Sequence, residues 1–446
     1  MAKKRDLTEG SIPGKLIQLT LPMMLGMISM VAFNLIDTYF VGKLGKQELA
    51  ALSFTFPVIM VIFSIIQGIG IGATALIAKS IGKGDRNKAA RETTDSIFLT
   101  LILTGLFVAI GLLTIGPTLR LLGASGETAV MAGKYMRIWY FALFFVSVPF
   151  VGNSAIRSTG DAQTPTYIML FAVLVNAILD PILIFGYIGA PALGLEGAAI
   201  ATAISRGLTM VLAFYVLIRR EKLITFEVPT IQVLSGCWQS ILFIALPSAL
   251  ARLVVPVATG IITAMLASYG EFAVAAFGVG SRIEFLANSL VFALAASIGP
   301  FVGQNLGKGR MDRMNQAVGL ANRFSFLWGL FAWGLLALLA EPIARIFNSN
   351  AEVIETVKLF LWIVPAGYGL QGILSVVNSN LNTINKPLQA SIIIVIQMLV
   401  IGLPLIFLGK QLFQVPGIFM GLATTYVLGG LISLLVNKRI MAGFTS

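Results

Sequence analysis

An all-α polytopic membrane protein, with twelve transmembrane helices in two pseudo-symmetric six-helix bundles, is the fold class that the sequence predicts. Three observations lead there. The 446 residues are 57% hydrophobic and only 11% charged, with a mean hydropathy of +0.92. A soluble domain carries about 25% charged residues, so this chain lacks the polar surface to coat a water-exposed globule, and lipid must cover much of it. Long apolar runs recur along the whole chain, and its two halves repeat at a fixed offset.

A helix needs about 20 apolar residues to cross the hydrocarbon core. Such runs fall near 16–41, 50–78, 94–116, 131–156, 166–188 and 196–218, then near 238–268, 273–303, 318–340, 354–380, 388–408 and 416–436. Glycine and proline interrupt many of them, which membrane helices tolerate where neighbours or cavities satisfy the backbone. Basic residues concentrate in alternate loops: Lys3-Lys4-Arg5, Lys83 to Arg91, Arg157, Arg219-Arg220-Lys222, Lys308 to Arg313, Lys386 and Lys438-Arg439. The opposite loops mix fewer basic residues with Glu48, Glu127, Glu196, Glu271, Glu341, Glu352 and Glu355. By the positive-inside bias both termini are expected in the cytoplasm, which requires an even number of spans. The N-terminus reads as a cytosolic cap with no signal peptide.

The repeat shows in Leu21-Pro22 against Leu246-Pro247, Gly45/Ala50-Ala51 against Gly270/Ala275-Ala276, Gly82-Lys83-Gly84 against Gly307-Lys308-Gly309, and Asn153-Ser154 against Asn378-Ser379. Each pair is 225 residues apart. The expected domains are therefore an N-terminal lobe at 1–218, a cytoplasmic connector at 219–236 and a C-terminal lobe at 237–446. An even six-span unit repeats in parallel, which puts a substrate site between lobes near mid-membrane.

Composition also excludes classes of function. The net charge of +12 would raise nucleic-acid binding in a soluble protein, but no basic helix or aromatic–basic platform is present. Histidine is absent and Cys237 is the only cysteine, so a disulfide framework, a Cys/His zinc site and a histidine relay are ruled out. No nucleophile–base pair or cofactor motif points to an enzyme. Gly84-Asp85-Arg86 superficially matches the loop motif of major facilitators, G-x-x-x-D-R-x-G-R-[RK], but Ile81 and Lys88 stand where that motif needs glycine.

Charges inside apolar runs cost at least ~2.5 kcal/mol each and call for a reason. Asp37 lies late in the first run, and its repeat position holds Ile262. Asp180 lies in the fifth, followed by Pro181, which frees the carbonyl of Ala177. Asn176 precedes Asp180 by one helical turn and shares its face. Two carboxylates, an amide and a loose carbonyl could make an oxygen-rich site for H⁺ or Na⁺, with Asp37 and Asp180 as metal ligands if sodium is the ion. Burial and a second carboxylate both oppose ionisation, so neutralisation would change helix packing. A plain alternative makes Asp37 an interfacial helix-end group and Asp180 a neutral, hydrogen-bonded one. Pro22 removes a backbone hydrogen bond to Gln18 and is either a hinge, as Pro181 could be, or a fixed kink. Met27, Met30 and Met60, together with Asn34, are candidate cavity residues, since methionine suits adaptable binding surfaces; ordinary core is the alternative. Arg206, Arg252, Arg282 and Glu284 also interrupt apolar runs, and whether they line a cavity or reach an interface stays open.

The pattern resembles the multidrug and toxic compound extrusion family along the whole chain, closest to its DinF-like branch. The resemblance rests on Leu21-Pro22, Asn34-Leu35-Ile36-Asp37-Thr38-Tyr39-Phe40-Val41-Gly42, Asn153-Ser154-Ala155-Ile156-Arg157-Ser158-Thr159-Gly160-Asp161, Asn176 with Asp180-Pro181, and Gly194 to Thr202. It implies export of bulky, often cationic drugs by H⁺ or Na⁺ antiport, by a multi-pass protein of the prokaryotic inner membrane. It further implies a cation site of Asp37, Asn176, Asp180 and Thr202 with Asn153 nearby. No cofactor is expected beyond the coupling ion, no nucleic-acid partner, and a monomer. A lipid-linked oligosaccharide or lipid-precursor flippase of the same superfamily is the alternative, favoured if the arginines share a cavity.

Overall fold

The computed structural model describes residues 6–347 and 349–445, with side chains described to 443; the basic cluster Lys3-Lys4-Arg5 lies outside the described residues. Apolar runs become long helices in chain order: α1 (Ile12–Leu44), α2 (Lys46–Gly82), α3 (Arg86–Leu121), α4 (Gly126–Ser158), α5 (Gln163–Phe185) and α6 (Gly194–Tyr215). A π-helical turn, Val216–Arg220, extends α6. Then come α7 (Ile231–Ala267), α8 (Glu271–Gly307), α9 (Met311–Leu338), α10 (Ala340–Phe347), α11 (Ala351–Ile363), α12 (Tyr368–Thr383), α13 (Pro387–Val395) and α14 (Leu403–Thr445). No strand occurs among the described residues.

Among the described residues, fourteen helices make twelve crossings. The α9–α10 pair is one span bent by 69°, and α11 and α12 form another through the 3₁₀ turn Val364–Gly367. The stretch Pro387–Gly443 is helical over 57 residues, roughly 85 Å at 1.5 Å per residue, far more than the ~30 Å hydrocarbon core. It is two spans. Helical geometry fails at Gln414 (φ 55°, ψ −132°), Pro416 follows, and the backbones of Gly409 and Gly417 touch so closely that neither has room for a Cβ. The expected last runs, 388–408 and 416–436, bracket this turn.

The repeat is built into the backbone. Helices α2 and α8 begin and end 225 residues apart, at Lys46 and Glu271 and at Gly82 and Gly307. The turns that follow use glycine in the same left-handed conformation, Gly84 at φ +80° and Gly309 at φ +76°, where a side chain would be strained. After the first turn Asp85 caps α3, its carboxylate accepting from the Lys88 amide at 2.9 Å.

Two compact units result. The first takes Asp6 and Leu25–Leu246, the second Leu7–Met24 and the chain from Pro247. The expected connector, 219–236, belongs to the first unit, strapped along α3: Arg91 donates to the Glu227 carbonyl at 2.6 Å, the Thr225 amide to Thr94 at 3.0 Å and the Trp238 indole to the Asp95 carbonyl at 3.1 Å. Helix α1 changes allegiance two residues beyond Pro22. Its first part, with the segment before it, is fastened in the second unit: the Leu7 amide donates to Gln304 at 3.0 Å, Lys308 to Thr8 at 2.9 Å, and Thr20 meets Ser297 at 3.1 Å. Each unit has its own apolar core, the first around Val41, Trp139, Tyr140 and Leu143, the second around Phe277, Phe360, Tyr368 and Phe419.

Candidate cation-coupling site

Helices α1 and α5 end where α4 and α6 begin, so one end of the first unit gathers residues from all four. Asp37 stands seven residues before the end of α1, and Asp180 five before the end of α5. Thr202 stands eight residues into α6, and Tyr135 nine into α4. At 1.5 Å per residue these lie roughly 8–14 Å from the same end.

Asn176 and Asp180 are fully buried, and one turn of helix lets the Asn176 amide donate to Asp180 Oδ1 at 3.0 Å. Asp180, Asp37 and the buried Tyr135 phenol lie within electrostatic reach of one another. Asp37 Oδ1, Asp180 Oδ2 and Asn176 Oδ1 are buried and accept no hydrogen bond from any described residue. Val41, Trp139, Ile184 and Ala198 of the surrounding core are apolar. Three unpartnered acceptors in apolar surroundings are costly unless something positive completes them. Two carboxylates at close range also repel when both are charged. The chemistry such a group can perform is to take up and release a cation.

The other sequence candidates divide. Thr202 is buried on α6 at the level of the acids. Asn153 is buried too, and its Oδ1 lacks a partner among the described residues, but it sits eighteen residues beyond Tyr135 on α4. That is roughly 27 Å of helix, so the structure does not bring it to the acids. Asn34 is exposed and turns its amide back to the Met30 carbonyl at 3.1 Å. Met27 and Met30 are half-buried and Met60 is exposed. An open apolar recess of about 580 Å³ lies alongside, lined by Leu35, Ile36, Tyr39, Phe40 and Ala177. Pro22 and Pro181 both lie inside continuous helices.

One residue escapes the sequence reading, and another, whose surroundings the sequence left open, acquires a partner. Tyr135 carries a phenol beside both acids; a tyrosine inside an apolar span, whose hydroxyl needs a partner when buried, is the signal that could have found it. Arg206, one turn beyond Thr202, places its guanidinium 4.2 Å from the centre of the Phe33 ring, one turn before Asp37. Arginine thus stands near the acids without forming an ion pair with them among the described residues.

A duplicated unit with an ion-ready pocket at one end narrows the comparison with known proteins. The MatE family profile matches residues 22–182 and 247–408, once in each half. This chain belongs to the MatE family. It is therefore a multi-pass membrane transporter and not an enzyme. A relative from Shewanella oneidensis named FAD transporter is 35% identical over 99% of this chain and 97% of its own. The multidrug export protein MepA of Staphylococcus aureus is 24% identical, covering 94% of this chain and 92% of that one. The Vibrio cholerae MATE transporter VcmN, in its bent form, superposes with a TM-score of 0.92 at 31% identity and 97% coverage of both chains. The twelve-helix expectation is borne out by these structures as well as by the spans.

Proposed function

We propose that this MatE transporter exports bulky amphiphilic molecules from the cytoplasm of a prokaryote, across its inner membrane, in exchange for protons. The observation that carries the reading is the set of buried, unpartnered acceptors on Asp37, Asp180 and Asn176. A proton on either carboxylate supplies the missing donor and removes the repulsion between the acids in one step. Sodium would have to find more oxygen ligands than these three residues offer, and is the second choice. Loading the pair lets α1 draw toward α5; unloading pushes it away, with Pro22 and the change of allegiance after Met24 as the place where the helix gives. Met27, Met30, Asn34 and Met60 are the proposed substrate contacts, Thr202 supports the ion site, and the working form is a monomer with both termini cytoplasmic.

A second reading concerns the cargo. The relative named for FAD, together with Arg206 stacked on Phe33, favours a substrate that is aromatic and anionic, since arginine both stacks on planar rings and pairs with phosphate. Purified protein in liposomes, given a pH gradient and then a sodium gradient, separates these ideas. Asp37→Asn should abolish gradient-driven transport of a fluorescent cationic dye, and the gradient that works names the ion. Flavin nucleotide moving in place of dye would select the second reading. Transport of neither, from folded protein, would turn attention to a lipid-linked cargo.

A further inference from the structure

The second unit contains a half-buried carboxylate that the coupling site does not use. Glu284 lies inside α8, and its Oε1 accepts from the Tyr426 hydroxyl of α14 at 2.7 Å. Asn288, one turn on, donates its amide to the Glu284 carbonyl at 3.2 Å and fixes the local backbone. Tyr368, at the start of α12, is wholly buried. Its hydroxyl has no partner among the described residues, yet it lies within electrostatic reach of both Glu284 and Tyr426. The neighbouring side chains, Phe277, Ile283, Phe360 and Phe419 among them, are apolar. Among the described residues, the titratable groups bearing on Glu284 are these two phenols, from α14 and α12. Arg282, two residues away, points off another face of α8 and is exposed.

We propose that Glu284 is a second proton-binding group, in the second unit, with Tyr426 and Tyr368 as its positioning residues. A carboxylate set half-buried among apolar side chains, without a cation beside it, costs more as an anion than as an acid. In a neutral carboxyl the carbonyl oxygen is satisfied by the single phenol now donating to it, which leaves the other phenol idle. When the proton departs to water, the anion can take a second donor, and the idle Tyr368 hydroxyl is there to give it. The pair of phenols therefore lets one site hold either charge state, which a purely structural tyrosine–carboxylate tie would not need. Protonation here is simple addition of H⁺ to the carboxylate, with nothing oxidised or reduced. No residue of the first unit takes part, so Glu284 binds its proton whether or not Asp37 and Asp180 couple transport.

The test is infrared difference spectroscopy of the full chain in liposomes, titrated from about pH 4 to 10 so that ordinary and displaced carboxyls are both covered. An Asp37→Asn/Asp180→Asn background removes the first-unit acids from the signal. The protonated-carboxyl C=O band should then lose one titrating component on Glu284→Gln. On Tyr368→Phe that component should stay, with proton binding tightened about tenfold, because a donor to the charged form is gone. A band that Glu284→Gln leaves unchanged would overturn the proposal. So would a component whose midpoint is the same with and without the Tyr368 hydroxyl, a readout that remains if Glu284→Gln fails to fold.

Discussion

The first and second units share a scaffold and differ in where they keep their acids. Helices α2 and α8 coincide end for end at an offset of 225. Within that constant register Asp37 corresponds to Ile262, buried to 2% exposure. Conversely Glu284 corresponds to Ile59 and the buried Tyr368 to Leu143, itself fully buried. Each unit has an apolar residue where the other has a polar one. Duplication kept the packing, which any similar-sized side chain can satisfy. It left each buried polar group free to appear once, wherever a partner could be found for it.

The largest effect should come from removing the asymmetry on one side. Asp37→Asn should reduce gradient-driven transport in liposomes by more than about tenfold, matching a loss of at least ~1.4 kcal/mol of coupling. Adding Asp180→Asn should cost little more, because groups that act as a pair are not additive. Installing the acid in the other unit should fail differently. Ile262→Asp places an unpartnered charge at membrane depth and should destabilise the protein by about 3 kcal/mol, seen as a lower melting temperature in detergent. A stable and active Ile262→Asp protein would break the contrast between the units. Gly417→Ala should cost about 1–3 kcal/mol by overpacking the turn against Gly409, again read as thermal stability, without altering the ion that drives transport. Phe33→Leu should have the smallest effect, about 0.5–2 kcal/mol from the lost ring–guanidinium contact. Measured as transport at limiting substrate, it should reduce flavin nucleotide more than cationic dye if the cargo is anionic.

Much of this was legible along the chain, and the rest for a physical reason was not. The spans announce themselves because lipid demands unbroken apolar length, and the Gly84 and Gly309 turns because only glycine is easy there. Asp37, Asn176 and Asp180 stood out as costly residues in apolar runs, and the helical spacing of the last two anticipated their hydrogen bond. The turn at Gln414 was bracketed by two expected runs, but its residue is no usual turn former. The partnership of Glu284 with Tyr426 spans 142 residues, and that of Arg206 with Phe33 spans most of the first unit. Periodicity reports which face of a helix is apolar and is silent about which distant helix meets it. The same limit hid Tyr135; Asn153 was expected beside the acids from the family resemblance alone, and α4 holds it well away from them.

The divided loyalty of α1 also sets a timetable for making the protein. The segment Leu7–Met24 leaves the ribosome first, yet its partners Gln304, Asn305 and Lys308 follow nearly three hundred residues later. At 5–20 residues per second this is a delay of roughly 15–60 s. Through that interval the first unit can assemble from Leu25 onward while the opening stretch of helix waits without its neighbours. A chain severed at the connector would deliver the second unit without the piece it needs, so the two halves of this repeat are not two independently made proteins.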